Sequence, residues 1–422
     1  MGMSSIIVHG GHPITGEMKI QGSKNAALPI LAASILIHGI TVIKHCPKIT
    51  DVFCMIEILK QLGCQISWEE NSTLIIDSSS IEKVRLSLEE AGKMRSSITL
   101  LGALLGRKRE AFIPYPGGCS IGKRPIDIHL TVLKELGIEI EQTEKGVYAK
   151  KTKAPSGKVM LSFPSVGATQ NAVLASIYSD SQVILKNCAI EPEVTELCYF
   201  LNQAGAKIEG IGSKTLIIHG VSRLQEVTYE IRGDRIAAGT YLAAAVMTRG
   251  SLTVKKIDPK ELSSVLELYQ KMGNFVKVYQ DAIFLDASKR KYLEALNVTT
   301  EPYPGFPTDM QSQVMSLMTI ANGKSEIIEN VFEDRFKTAA ELNKMGAEIT
   351  IEENPKRALI QGVKQLSKAE VIAPDLRGGA ALVIAALQAE GETKIENAFY
   401  IERGYEDIVG TLRDLGGIVV LR

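Results

Sequence analysis

The chain carries no net charge. Its 48 Lys and Arg are matched by 48 Asp and Glu, and no basic block stands out. A nucleic-acid partner held by phosphate neutralisation is therefore not expected, and any anion that binds should be small. Long apolar runs are missing too: the longest, AALPILAASILI, is short and is broken by Pro29 and Ser34. The opening MGMSSIIVHGG lacks the basic and apolar regions of a secretory signal. These absences predict a soluble, cytoplasmic protein with no membrane partner. The six cysteines, at 46, 54, 64, 119, 188 and 198, include no CxxC pair. All but Cys119 lie in apolar patterns, where a free thiol behaves as a small hydrophobe. Of the six histidines only His9 and His12 are close in sequence, so there is no metal-ligand cluster, and neither metal nor cofactor is expected.

At 422 residues the chain exceeds the roughly 250–300 residues at which one hydrophobic core stops growing, so two domains are expected. Internal repetition supports this. A helical tail ending in Gly and followed by a strand occurs as LKQLGCQI, LKELGIEI, LNQAGAKI, YQKMGNFV, LNKMGAEI and LRDLGGIV. The glycines are 63, 137, 205, 273, 346 and 416, spaced by 74, 68, 68, 73 and 70, a period that chance does not keep. Between them recur small-residue apolar helices such as KNAALPILAASIL and GGAALVIAALQAEG, whose Ala and Gly on several faces predict helices packed on all sides. Each unit reads as buried helix, strand, loop, amphipathic helix, Gly in the C′ position and strand hairpin. Unit six ends before its second hairpin strand, and SSIIVHGG could supply it. The division expected is 23–232 for units one to three, and 1–22 plus 233–422 for units four to six, with crossings near Gly22 and Gly233 forming a double hinge and the ligand in the cleft.

Unusual polar residues collect at two equivalent places in the unit. One is the start of each buried helix: Lys24 and Asn25, Arg95 with Ser96, Ser165–Thr169, Asp234 and Arg235, Thr308 and Asp309, Asp375 and Arg377. The other is the loop after the following strand: Cys119, Lys123 and Arg124, then Arg335, then Arg403. Helix N-termini favour anions, so these sets predict an anion trap. Taken singly, each residue has a plainer reading. Asp309 could be a first-turn acid beside a Thr308–Gln311 capping box, and Arg335 and Arg403 could pair with Glu333 or Asp334 and with Glu402 or Glu406 at the surface. Cys119 could be an inert thiol, and Lys24 could solvate a turn. The plain readings weaken together, because all these residues fall at corresponding points of a repeat whose remaining positions are apolar, and the uneven charge of those points argues against a solenoid of six identical units.

Gly117, Gly122 and Lys123 of GGCSIGKRP fit part of a phosphate-binding P-loop. The motif then fails, because Arg124 and Pro125 stand where a Mg²⁺-binding hydroxyl is needed and Pro114 and Pro116 interrupt the preceding strand. A glycine-rich loop with one thiol and two cations remains.

The segments GSKNAALP, MRSSITLLG, PGGCSIGKRPIDIH, SVGATQN, GDRIAAGTY, FPTDMQSQ, NVFEDRF, PDLRGGAALV and ERGYEDI together resemble the enolpyruvyl transferase family along the whole chain. The resemblance implies a two-domain inside-out α/β barrel fold of six βαβαββ repeats, three per domain. The implied chemistry is transfer of the enolpyruvyl group of phosphoenolpyruvate to the 3-hydroxyl of UDP-N-acetylglucosamine, by addition and then elimination of phosphate; C–O cleavage needs no Mg²⁺ clamp. It further implies Cys119 as proton donor and adduct-forming thiol, and Lys24, Arg124 and Arg403 as phosphate ligands. Asp309 is the implied base for the attacking hydroxyl or the group that orients it. Asn25, Arg95, Arg124, Pro125, Ile126, Asp127, Ile128, Ser165, Val166, Gly167 and Val331 are implied sugar-nucleotide contacts. Arg335, Asp375 and Arg377 are placed around the phosphoenolpyruvate carboxylate. Phe163 and Pro164 stand where some members carry a Lys, and Arg232 and Gly233 where members often have Pro before the Asp. The shikimate-3-phosphate branch lacks the Cys loop, and a non-catalytic paralogue should have lost Cys119, Asp309 or Lys24; all three are present.

Overall fold

Local sequence explains the elements before packing is considered. In the computed structural model, which describes residues 4–115, 126–352 and 356–422, amphipathic helices span Thr50–Leu62, Asp127–Glu135, Pro192–Gln203, Ser263–Lys271, Lys337–Lys344 and Ile408–Asp414. Each stops at one of the six periodic glycines. Gly63, Gly137, Gly205, Gly273, Gly346 and Gly416 have φ of 114°, 84°, 99°, 95°, 86° and 98°, the left-handed region that only Gly enters without steric cost. The recurrence of Gly at that position is thus a backbone requirement, and it sets the repeat.

Contacts divide the chain into two compact units. One combines the N-terminal residues up to Gln21 with Gly233–Arg422, and the other runs from Gly22 to Arg232. The unit beginning at Gly22 buries helices α1 (Lys24–Ser34), α2 (Thr99–Lys108) and α3 (Val166–Ser176). The other buries α4 (Arg235–Met247), α5 (Gln311–Met318) and α6 (Leu376–Gln388). Nearly every residue of the six is buried, and each trio sits within its own apolar cluster. Small side chains make this possible. A β-carbon on Gly102 of α2 would lie 2.7 Å from Asn171 Oδ1, and one on Gly106 would lie 2.7 Å from the Leu174 carbonyl of α3. The two helices therefore touch backbone to backbone, which no larger residue would permit.

Sheets cover the helices; strands such as Thr73–Asp77 and Thr215–His219 alternate buried and half-buried residues, whereas Ser5–His9 is buried on both faces. In the third repeat Val183–Lys186 runs parallel to Gly157–Met160 and antiparallel to Thr215–His219, which pairs with Lys207–Glu209. The same order recurs, and strands remote in sequence complete it elsewhere. Val227–Glu230 lies parallel to Ile40–Lys44, and Thr15–Lys19 parallel to Ser251–Lys255. In the sixth repeat Ser5–His9 occupies the middle place, antiparallel to both Glu392–Glu396 and Ile418–Leu421. The result is a mixed α/β fold of separate sheets, none closed on itself among the described residues. Among the described residues no helix is long and apolar enough to cross a membrane.

Candidate active site

In the unit from Gly22 to Arg232, helix starts carry the polar groups. Ser23 caps α1, its Oγ accepting from the Ala26 N–H at 3.3 Å. This places Lys24 in the first turn, where its Nζ meets the Asp51 carboxylate at 2.7 Å with both side chains buried. Lys24 is therefore not a solvated turn residue: a buried carboxylate fixes it. An ion pair this dry is costly to break, because either charge left alone is uncompensated. Asn25 is half-buried beside it.

Arg95 opens a 3-10 turn, Arg95–Ile98, that leads into α2. Where turn becomes helix, the Asn171 side chain takes over the backbone pairing. Its Oδ1 accepts from the Gly102 N–H at 2.7 Å, and its Nδ2 donates to the Ile98 carbonyl at 3.0 Å and lies 2.8 Å from His129 Nδ1. That amide hydrogen makes Nδ1 an acceptor, so the ring is neutral. Burial, helped by the Arg95 charge, holds the His129 pKa down to about 4. Gly167, second residue of α3, packs on this ring: a β-carbon there would lie 2.7 Å from His129 Cε1. Ser165 caps α3, accepting from the Ala168 N–H at 3.4 Å, and Val166 and Gly167 are half-buried at the helix start. Ile126 is buried, and Asp127 and Ile128 begin the following helix. Cys119, Lys123, Arg124 and Pro125 lie outside the described residues.

In the other unit the helix starts converge on one carboxylate. Asp309 lies in the 3-10 turn Thr308–Met310 before α5. Its Oδ1 accepts from Arg335 Nη2 at 2.7 Å and its Oδ2 from Arg377 Nη2 at 3.2 Å. The two guanidinium side chains are 2% and 4% exposed and that of Asp309 is 27% exposed, so the carboxylate is the accessible member. Burial opposes the Arg377 charge, but the carboxylates of Asp309 and Asp234 and the Tyr405 phenol outweigh it and raise its pKa above the usual value. The capping-box reading of Thr308 and Gln311 is overturned, since the turn has no side-chain cap. Thr308 Oγ1 donates instead to Glu329 Oε2 at 3.0 Å. Glu329, buried, also receives the N–H groups of Val331 and Phe332 at 2.9 and 3.0 Å, tying their loop to the Asp309 turn. Arg335 is likewise no surface pair with Glu333 or Asp334; Asp334 bonds Lys337 at 2.7 Å.

Asp375 caps α6, accepting from the Arg377 and Gly378 N–H groups at 2.8 and 3.0 Å. This aims Arg377 at Asp309. Arg403 ends the 3-10 turn Ala398–Arg403 and is half-buried. Among the described residues no group of His, Cys, Asp and Glu could hold a metal ion.

Comparison with known proteins identifies the family of the chain. The EPSP synthase (3-phosphoshikimate 1-carboxyvinyltransferase) family model matches residues 8–412. This chain belongs to the enolpyruvyl transferase family. A UDP-N-acetylglucosamine 1-carboxyvinyltransferase 2 from Caldanaerobacter subterraneus subsp. tengcongensis is 44% identical over 418 residues, covering 99% of both chains. A UDP-N-acetylglucosamine 1-carboxyvinyltransferase from Coxiella burnetii is 42% identical over 415 residues, 98% of this chain and 95% of its own. Among solved structures, the enolpyruvyl transferase NikO from Streptomyces tendae aligns with a TM-score of 0.90 at 25% identity, covering 100% of this chain and 99% of its own. EPSP synthase from Acinetobacter baumannii aligns at 0.76 and 17% identity, a likeness of fold alone.

Within this enolpyruvyl transferase the structure brings Asp309, Arg335 and Arg377 into direct contact, sets Val331 on the adjoining loop, and groups Arg95 with the Ser165–Gly167 helix start through His129 and Asn171. Sequence reading missed Asp51, Glu329, Tyr405, His129 and Asn171. Tyr405 sits in a loop and the other four in segments that read as ordinary helix or strand, and each acts on a partner at least 21 residues away in sequence, so no local pattern marks them.

Proposed function

We propose that this enolpyruvyl transferase moves the enolpyruvyl group of phosphoenolpyruvate to the 3-hydroxyl of UDP-N-acetylglucosamine, releasing inorganic phosphate, as the first committed step of bacterial peptidoglycan synthesis. The observation that carries the reading is the accessible Asp309 carboxylate held by two buried guanidinium groups, in a chain whose near-full-length relatives bear the name of that activity. In the addition step the sugar oxygen bonds C2 of phosphoenolpyruvate while Cys119 gives a proton to C3, and Asp309 orients the hydroxyl and takes up its proton. In the elimination step C3 returns a proton to the Cys119 thiolate left by the addition, the C–O bond to phosphate breaks and phosphate departs. Lys24, Arg124 and Arg403 bind that phosphate; Arg335, Asp375 and Arg377 serve the carboxylate end.

Two features of the geometry suit these roles. The guanidinium contacts fix the Asp309 rotamer, which favours orientation of the hydroxyl. The Asp51 carboxylate fixes the Lys24 ammonium at the start of α1. Asn25, Arg95, Ile126–Ile128, Ser165–Gly167 and Val331 contact the sugar nucleotide. The test is phosphate release from phosphoenolpyruvate with UDP-N-acetylglucosamine, against shikimate 3-phosphate as acceptor. Turnover only with the sugar nucleotide is expected; turnover only with shikimate 3-phosphate refutes the acceptor assignment.

A further inference from the structure

One amide side chain with no role in that reaction stands where the chain leaves one unit for the other. Gln21 is the last residue of its unit before Gly22 opens the next. Its Nε2 donates to the Gly404 carbonyl at 3.0 Å, and its Oε1 accepts from the Glu406 N–H at 3.0 Å. Two bonds of opposite sense to residues i and i+2 imitate a neighbouring strand and bracket Tyr405. Only Gln and Asn side chains carry a paired carbonyl acceptor and amide donor for such a task. The amide hangs from a fixed point, because the Gln21 carbonyl accepts from the Asp234 N–H at 2.9 Å, and Asp234 caps α4.

The bracketed loop adjoins the charged groups. Arg403 immediately precedes Gly404, and a β-carbon on Gly404 would lie 2.8 Å from Leu376, next to Arg377. Tyr405, 1% exposed, places its hydroxyl 2.9 Å from Thr240 Oγ1 and 3.5 Å from Arg377 Nη1. Arg377 reaches Asp309 through its other terminal nitrogen. A path of hydrogen bonds therefore runs from Gln21 through the Tyr405 loop and Arg377 to Asp309.

We propose that Gln21 is a positioning residue: its amide sets the register of the 403–405 loop, so that Arg403 is presented to the phosphate of phosphoenolpyruvate and Tyr405 steadies Arg377 against Asp309. The identity of that ligand rests on the reading of the site given above. Gln21→Ala removes both bonds. Gln21→Glu keeps an acceptor for the Glu406 N–H but sets a carboxylate oxygen against the Gly404 carbonyl, and it serves should the alanine variant fail to fold. On the full chain, three measurements are compared with wild type: hydrogen–deuterium exchange over 404–406, the Kd of inorganic phosphate by calorimetry, and KM for each substrate. Exchange should quicken. Phosphate affinity should weaken and the KM for phosphoenolpyruvate rise by about 5- to 50-fold, the net worth of one to two hydrogen bonds, while the KM for UDP-N-acetylglucosamine stays within about twofold. Tyr405→Phe combined with Gln21→Ala should cost less than the product of the single effects, since both act on one path. Quicker exchange with unchanged phosphate affinity, or an equal rise in both KM values, would make Gln21 a fold contact only and overturn the proposal, as would unaltered exchange. A wild-type protein that turns over neither substrate pair sinks the assigned reaction instead, and exchange with phosphate affinity still decides the role of Gln21.

Discussion

Replacing Asp309 by Asn separates chemistry from folding in one experiment. The change keeps shape and removes charge. The carboxylate now accepts from Arg335 at 2.7 Å and from Arg377 at 3.2 Å; the amide can accept from one of them and must turn an N–H toward the other. Losing one charge-assisted bond and setting donor against donor should cost about 1.5–3 kcal/mol of stability. With about 2–4 °C of Tm per kcal/mol for a unit of this size, melting should fall by roughly 3–12 °C. Asp309→Ala, which strands both guanidinium groups, should cost more, about 3–5 kcal/mol. Turnover should respond more steeply than stability. Loss of the group that orients the hydroxyl and takes up its proton is worth roughly 10²- to 10⁴-fold in kcat, or about 3–5 kcal/mol in the barrier. Binding of UDP-N-acetylglucosamine should persist, because the sugar-nucleotide contacts proposed above lie mainly on other residues. Phosphate release at saturating substrates, calorimetry and thermal melting read the three quantities. Turnover within about threefold of wild type, in a variant whose Tm has dropped as expected, would refute the catalytic reasoning and leave Asp309 as a structural anion for Arg335 and Arg377.

Asp51→Asn should lower Tm sharply, since it removes the buried carboxylate from the Lys24 ion pair, at a cost of about 3–5 kcal/mol; a melting curve like that of wild type would mean the pair is not closed in solution. Gly102→Ala should destabilise by about 1–3 kcal/mol, because its methyl group enters the Asn171 contact, and denaturant titration measures it. His129 is neutral when folded, with its pKa down from 6.5 to about 4, so the unfolded chain binds the extra proton between those values. Stability should be level above pH 6.5 and fall as pH drops toward 4, by up to about 3 kcal/mol, and His129→Gln should flatten that part of the pH profile of Tm. Burial pushes the thiols of Cys64, Cys188 and Cys198 up to about 12, 11 and 12, so they are not nucleophiles near neutrality. Fosfomycin, a small anionic epoxide, should leave a single adduct by intact mass on wild type and none on Cys119→Ser; adducts spread over several cysteines would contradict the assignment of Cys119.

Much of this protein was legible because its constraints are local. The periodic glycines announce themselves, since a helix ending in the left-handed region needs Gly and the requirement recurs every 68–74 residues. The Ala- and Gly-rich helices read as buried because small residues on all faces serve close packing. The helix-start residues were recognisable as a set, as a polar residue repeated at one register of an otherwise apolar unit stands out. Single-residue readings did less well. Thr308 beside Gln311 carries the local signature of a capping box, yet the Glu329 carboxylate, brought from a strand 21 residues away, takes the Thr308 hydroxyl instead. Asp334 is the sequence neighbour of Arg335, yet it pairs with Lys337 while Arg335 turns inward to Asp309.

By itself, then, the sequence determined the repeat, the helix ends and the kind of residue that gathers at them, because φ preference, side-chain volume and capping act within a few residues of their cause. Tertiary structure alone decided which charges meet: that Asp309 lies between Arg335 and Arg377, that Asp51 holds Lys24, and that Gln21 reaches across 383 positions to the Gly404 carbonyl. Such pairings depend on distances set by packing between elements remote in sequence, and a buried charge or amide takes whichever partner the packed core places within hydrogen-bond reach.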